Sequence, residues 1–202
     1  MAGDIEADIE GTAEALYRAA GLDTGEAADP VDLAERLLGT GAVQLVHARA
    51  LPGTASLARV KSSWRIYVRS RASESLQAFA ILHELGHYAL GLDAPDARCD
   101  AVAAALLLPR RAFQRAAVER GADWSALAAH FRCTESAVAL RWGEVLGTPL
   151  ALVAPLKVRV RGEPYGWPES EQGLRSLART DRPGLARARL RDDARRVVVK
   201  AG

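Results

Sequence analysis

The chain is poor in the residues that hold small or secreted scaffolds together. Its 202 residues include two cysteines, one methionine and four histidines, and only 5% are aromatic. Cys99 and Cys133 stand in neither a metal-binding nor a redox spacing. This speaks against a disulfide framework and fits two small buried thiols in a reducing cytoplasm. No apolar run is long enough to cross a bilayer, which removes a spanning helix and a membrane partner from the expectations. The N-terminus, acidic from Asp4 to Glu14, has neither the basic start nor the apolar centre of a signal peptide, so a cytoplasmic location is expected. Internal repeats and low-complexity segments are absent as well.

What remains is an ordinary globular composition, 49% hydrophobic and 26% charged, in a chain long enough for one compact domain or one domain with an appendage. The formal charge of +2 hides an asymmetry. Residues 1–154 carry 15 basic against 19 acidic side chains, and residues 155–202 carry 12 against 6. The body is therefore mildly acidic and the tail basic. A basic tail can meet nucleic acid or an acidic partner, although acids such as Asp192 and Asp193 are mixed into it and a solvated surface explains it equally well.

Two of the four histidines sit four residues apart in Phe79-Ala80-Ile81-Leu82-His83-Glu84-Leu85-Gly86-His87. On a helix that spacing stacks the imidazoles of His83 and His87 on one face, where they can share a zinc ion. Glu84 then stands beside the metal's water as general base, the H-E-x-x-H arrangement. A core helix carrying two satisfied histidines is the competing reading. Against it, the apolar neighbours Ile81, Leu82 and Leu85 would bury Glu84, which is costly unless something uses the charge.

The rest of the chain supplies a scaffold. Residues 4–20 read as a helix with Ile5, Ile9, Ala13, Leu16 and Tyr17 on one stripe, stopped at Gly21. Pro30 opens a second helix reaching Leu38. Strand-like runs follow at 42–47, 56–60 and 64–69, expected to form a small antiparallel sheet whose edge could hold a peptide by main-chain bonds. The metal helix is expected from Ser73 to Leu90, ended by Gly91, and another helix from Asp93–Pro95 to Leu108. Trp124, Leu127, Ala128 and Phe131, then a Thr134 N-cap before Ala137, Val138, Leu140, Trp142 and Val145, read as a helix-turn-helix. Strand-like runs at 150–153 and 157–160, a turn-rich piece at 162–168 and an Arg-rich helical segment ending in Val197–Val199 complete the pattern.

A catalytic zinc needs a third protein ligand and an open position. Asp96 and Asp100, four apart on the next helix, can each be aimed at the histidines, and spacing alone does not choose between them. Asp96 could instead offset a helix dipole, and Asp100 could bond a ligand histidine's free N–H. Phe79–His87 together with Asp96-Ala97-Arg98-Cys99-Asp100 and the ending Leu106-Leu107-Leu108-Pro109 resembles the ImmA/IrrE family of zinc metallopeptidases, over roughly residues 5–150. The resemblance implies His83, His87 and Asp96 as zinc ligands, Glu84 as the catalytic base and Asp100 at the family's Asn/Asp position. The chain departs from the pattern by carrying Asp96 where the family has glutamate, one methylene longer.

The implied fold is α+β: a zincin-like helical body with a small antiparallel sheet (1–120), a helix-turn-helix segment (121–154) and a basic C-terminal extension (155–202). The implied chemistry is hydrolysis of a peptide bond, with zinc as cofactor and Glu84 taking the proton of the attacking water. Tyr67 and Tyr88 are candidates for the oxyanion by residue type alone, with packing as the alternative. His130 reads as a surface or core histidine. From the resemblance, the expected partner is a protein substrate, a helix-turn-helix repressor. An alternative is an inactive zincin that binds DNA or protein through its own helix-turn-helix. There, Arg141 is the second helix's only base, beside Glu135 and Glu144. Hydrolysis of a non-protein substrate is a third possibility.

Overall fold

A computed structural model describes residues 2–47, 51 and 53–147, and the strand backbones of 150–153, 158–161, 185–189 and 197–201, with side chains from residue 8 to residue 147. The fold is α+β. Contacts divide the chain into two compact units, 1–115 and 116–202.

The first unit starts with α1 (Ala2–Ala19) and α2 (Pro30–Leu38). The Asp29 carboxylate caps α2 by accepting from the amides of Val31 and Asp32, and Pro30 provides a preset first turn. Between α1 and α2 the chain is anchored by Tyr17. Its buried hydroxyl accepts from the Ala28 amide and donates to the Leu106 carbonyl, each at 3.0 Å.

Three strands follow: β1 (Val43–Val46), β2 (Ala55–Val60) and β3 (Ser63–Arg69). They do not form the expected antiparallel sheet. The order is β1-β3-β2, with β2 antiparallel and β1 parallel to β3. The cause is a tight two-residue turn at Lys61-Ser62 that folds β3 back onto β2 and between the two earlier strands, leaving β3 aligned with β1. Period-2 patterning is blind to strand direction, so the sequence could not reveal this. Ile66 and Val68 on one face of β3 are fully buried. Trp64, on that same face, packs edge-on against Tyr88 of the next helix, which shows where the helical layer lies.

That helix is α3 (Glu74–Leu90), and α4 (Asp96–Leu107) folds back against it. Gly91, at φ 103°, ends α3 in a conformation that side-chain-bearing residues rarely adopt. Leu82, Leu85, Val102, Ala103 and Leu106 form the core between the helices. The next helix, α5 (Arg110–Arg120), has little signal in the sequence. Its apolar positions Ala112, Phe113, Ala116 and Ala117 keep helical spacing and are buried, but five charged residues mask the stripe.

The second unit holds α6 (Trp124–Phe131) and α7 (Glu135–Leu146), capped by Asp123 and Thr134. The turn between them passes through Arg132 in the left-handed region. Its strands are β4 (Leu150–Val153), β5 (Val158–Arg161), β6 (Leu185–Arg189) and β7 (Val197–Ala201), paired antiparallel in the order β5-β4-β7-β6. The Arg-rich segment expected as helix thus contains a strand: Leu185–Arg189 alternates apolar and basic residues and finds a partner in β7. The turn-rich piece at 162–168 lies outside the described residues. Among the described residues no helix is long and apolar enough to cross a membrane.

Candidate metal centre

The centre is built where α3 and α4 run antiparallel at close range. A Cβ placed on Gly86 would stand 2.9 Å from the Cα of Cys99 and 3.1 Å from its carbonyl oxygen, so glycine is what lets the two backbones meet. The antiparallel register then pairs the outward residues of both helices, His87 with Asp96 and, one turn away, His83 with Asp100. The Oδ1 of Asp96 lies 3.6 Å from Nε2 of His87. The Oδ1 of Asp100 lies 2.9 Å from Nδ1 of His83.

The two aspartates thus meet their histidines differently. An ionised carboxylate only accepts, so the short contact makes Nδ1 of His83 the donor and leaves its Nε2 lone pair directed elsewhere. The imidazoles of His83 and His87 are 5.0 Å apart between centroids. One ligand atom from each of His83, His87 and Asp96 falls within 4.8 Å of the other two. Two imidazoles and one carboxylate are the donor set of hydrolytic zinc sites, and the three residues present fit that ion. Asp96 is 85% exposed at its side chain while the histidines are 20% and 14% exposed, so the group faces solvent on the aspartate side only. The Nδ1 of His87 is buried with no hydrogen-bond partner among the described residues.

Glu84 is 9% exposed, yet its charge is not abandoned. Its Oε2 accepts a 2.8 Å hydrogen bond from the backbone amide of Leu57 in β2. This contact ties the metal helix to the sheet edge, and no residue-type pattern announces it because the donor is main chain. It also agrees with the phase of β2. Thr54 bonds Arg69 across the hairpin, so the backbone groups of Ala55, Leu57 and Arg59 turn away from β3.

Between these two histidine–aspartate pairs, Cys99 is completely buried. Burial first, then the nearby carboxylates of Asp96, Glu84 and Asp100, push its thiol above the ordinary range. It is a packing residue and a poor nucleophile. Tyr67 projects from the face of β3 opposite Trp64, Ile66 and Val68, away from α3. Tyr88 is on α3, where it packs against Trp64, 6.1 Å between ring centroids. His130 is on α6, exposed, with Arg120 at 3.4 Å. In α7, Glu135, Ser136 and Arg141 are all buried.

The family model described as Peptidase_M78, IrrE N-terminal-like domain, matches residues 41–143. That span is just over half of the chain and includes every residue of the centre. No curated protein matches the chain. Among solved structures, one described as a Mycobacterium tuberculosis transcriptional regulator superposes with a TM-score of 0.56 at 21% identity. The match covers 79% of this chain but 57% of that one, and at this identity it establishes likeness of fold alone.

Proposed function

As the chain belongs to the Peptidase_M78 family of metallopeptidases, we propose that it is a zinc-dependent endopeptidase acting on a regulatory protein. The observation that supports this most is the convergence of three elements on one spot. Helix α3 presents His83, Glu84 and His87, α4 presents Asp96, and β2 presents the Leu57 amide to Glu84.

A zinc ion held by His83, His87 and Asp96 would supply a Lewis acid that lowers the pKa of a water to about 7 and polarises a carbonyl. The remaining roles belong to the protein. Asp100 fixes the His83 tautomer and ring plane, so that Nε2 is the atom offered to the ion. Leu57 restrains Oε2 of Glu84, leaving Oε1 to take a proton from the attacking water and return it to the leaving amine. The Leu57 amide is taken by Glu84, and the backbone groups of Ala55 and Arg59 with the Leu57 carbonyl form a strand edge on which an extended peptide can lie beside Glu84.

The substrate class follows the ImmA/IrrE resemblance: a helix-turn-helix repressor, whose removal would change transcription indirectly. The decisive experiment compares the zinc-loaded full chain with Glu84→Gln, both for bound zinc and for cleavage of a proteome-derived peptide library and of regulators encoded beside the gene. Near-stoichiometric zinc in both proteins, with cleavage lost by a factor of about 100 or more in the variant, is expected. A wild type that binds no zinc, or equal cleavage by both, would reject the reading.

A further inference from the structure

Among the described residues, Arg59 is a cation on the proposed substrate edge without an acidic partner. It is exposed near the end of β2, and its guanidinium carbon lies 5.9 Å from the centroid of the Trp64 indole ring. Arg98 of α4 is paired with Asp8, and Arg65 and Arg69, on the face of β3 turned away from α3, bond the Trp64 and Leu51 carbonyls. Arg59 and Trp64 face each other as a non-hydrogen-bonded pair, the arrangement that brings cross-strand side chains closest. Tyr88, one turn beyond Glu84 and adjacent to His87, packs edge-on against Trp64. The guanidinium is therefore held over a ring that is itself fixed to the metal helix, which lowers the entropy lost when it binds a carboxylate.

Resting on the peptidase reading above, we propose that Arg59 is a specificity-determining residue that selects an aspartate or glutamate side chain in the substrate. The register supplies the position. A peptide added to the outer edge of β2 has one residue opposite Leu57, beside Glu84, and the residue opposite Arg59 lies two positions along on the same face. The charges agree with this placement. Glu84, which stays outside the proposed ligand set, disfavours an acid beside the cut bond, whereas Arg59 attracts one two residues away.

The test uses the full zinc-loaded chain and a proteome-derived peptide library, with cut sites read by mass spectrometry for wild type, Arg59→Lys and Arg59→Glu. In parallel, Glu84→Gln and Glu84→Gln/Arg59→Glu proteins are immobilised and the retained peptides identified. Wild type is expected to enrich Asp or Glu at one position two residues from the cut, and Arg59→Lys to keep that preference. Arg59→Glu should exchange it for Lys or Arg, with acidic peptides falling about tenfold both in cleavage and in capture. No acidic enrichment in either readout, or an unchanged profile in Arg59→Glu, overturns the assignment. Acid-selective, Arg59-dependent capture without any cleavage by wild type would uphold the Arg59 subsite while rejecting the peptidase reading.

Discussion

Asp100 lies 2.9 Å from Nδ1 of His83, whereas Asp96, one turn earlier on the same helix, meets Nε2 of His87 at 3.6 Å. The two aspartates thus address different atoms of different histidines, and their removal should have different consequences.

Loss of Asp96 deletes a proposed ligand, and loss of Asp100 frees a ring that another ligand atom depends on. Bound zinc per chain should be lost in His83→Ala and Asp96→Ala. In Asp100→Ala it should persist at saturating zinc, with affinity lower by about 10–100-fold. Titration against a competing chelator measures both. Zinc lost in Asp100→Ala but kept in Asp96→Ala would exchange their roles.

Gly86→Ala should be destabilising although it sits in a helix. Alanine gains about 0.5–1 kcal/mol over glycine in a helix interior, but its Cβ meets the backbone of Cys99 at 2.9 Å, which only separation of α3 from α4 can relieve. Overpacking of this kind costs about 1–3 kcal/mol, so the net effect should be a loss of about 1–2 kcal/mol. Urea denaturation measures it, and zinc affinity should fall in parallel because the same approach aligns the two aspartates.

The buried Tyr17 hydroxyl should make the fold sensitive to alkali. Burial raises its pKa, partly offset by the hydrogen bond from the Ala28 amide. A group that keeps its proton more tightly when folded contributes stability below its unfolded pKa and loses that contribution as pH rises beyond it. The Cys99 thiol shifts in the same direction. Stability should therefore decline from about pH 8.5, the ordinary thiol range, and more steeply beyond about pH 10. Tyr17→Phe should cost about 1–3 kcal/mol at neutral pH, since it strands the Ala28 amide and the Leu106 carbonyl. It should also flatten the decline above pH 10. Thermal melts across pH 7–11 would register both effects.

Arg141, the only base of α7, is 4% exposed and lies 3.5 Å from Glu144. Breaking such a pair leaves a partly buried carboxylate, so Arg141→Ala should cost about 3 kcal/mol of stability. Any retention of duplex DNA by the full chain should remain unchanged where the variant is folded, because a buried arginine cannot release phosphate counterions. Salt-dependent retention that disappears in the variant would instead revive the DNA-binding alternative.

What was legible in the amino-acid pattern was local. The spacing of His83, Glu84 and His87 follows from 3.6 residues per turn, and Asp29, Pro30, Gly91 and Thr134 punctuate helices through backbone preferences that act within a few residues. The α5 stripe and the β6 strand were obscured because interspersed arginines blur the contrast between buried and exposed positions.

By itself, then, the sequence determined that two imidazoles share one helix face with a carboxylate beside them, and that two aspartates share a face of the next. The tertiary structure decided which aspartate meets which histidine, because that depends on how closely α3 and α4 pass at Gly86 and Cys99. It decided that β1 runs parallel to β3, since strand direction leaves no mark on an alternating pattern. It also placed the Leu57 amide against Glu84 and Arg59 over Trp64. Those contacts join residues 27 and 5 positions apart, and no local periodicity carries a relation between a main-chain donor, a strand register and a helix face.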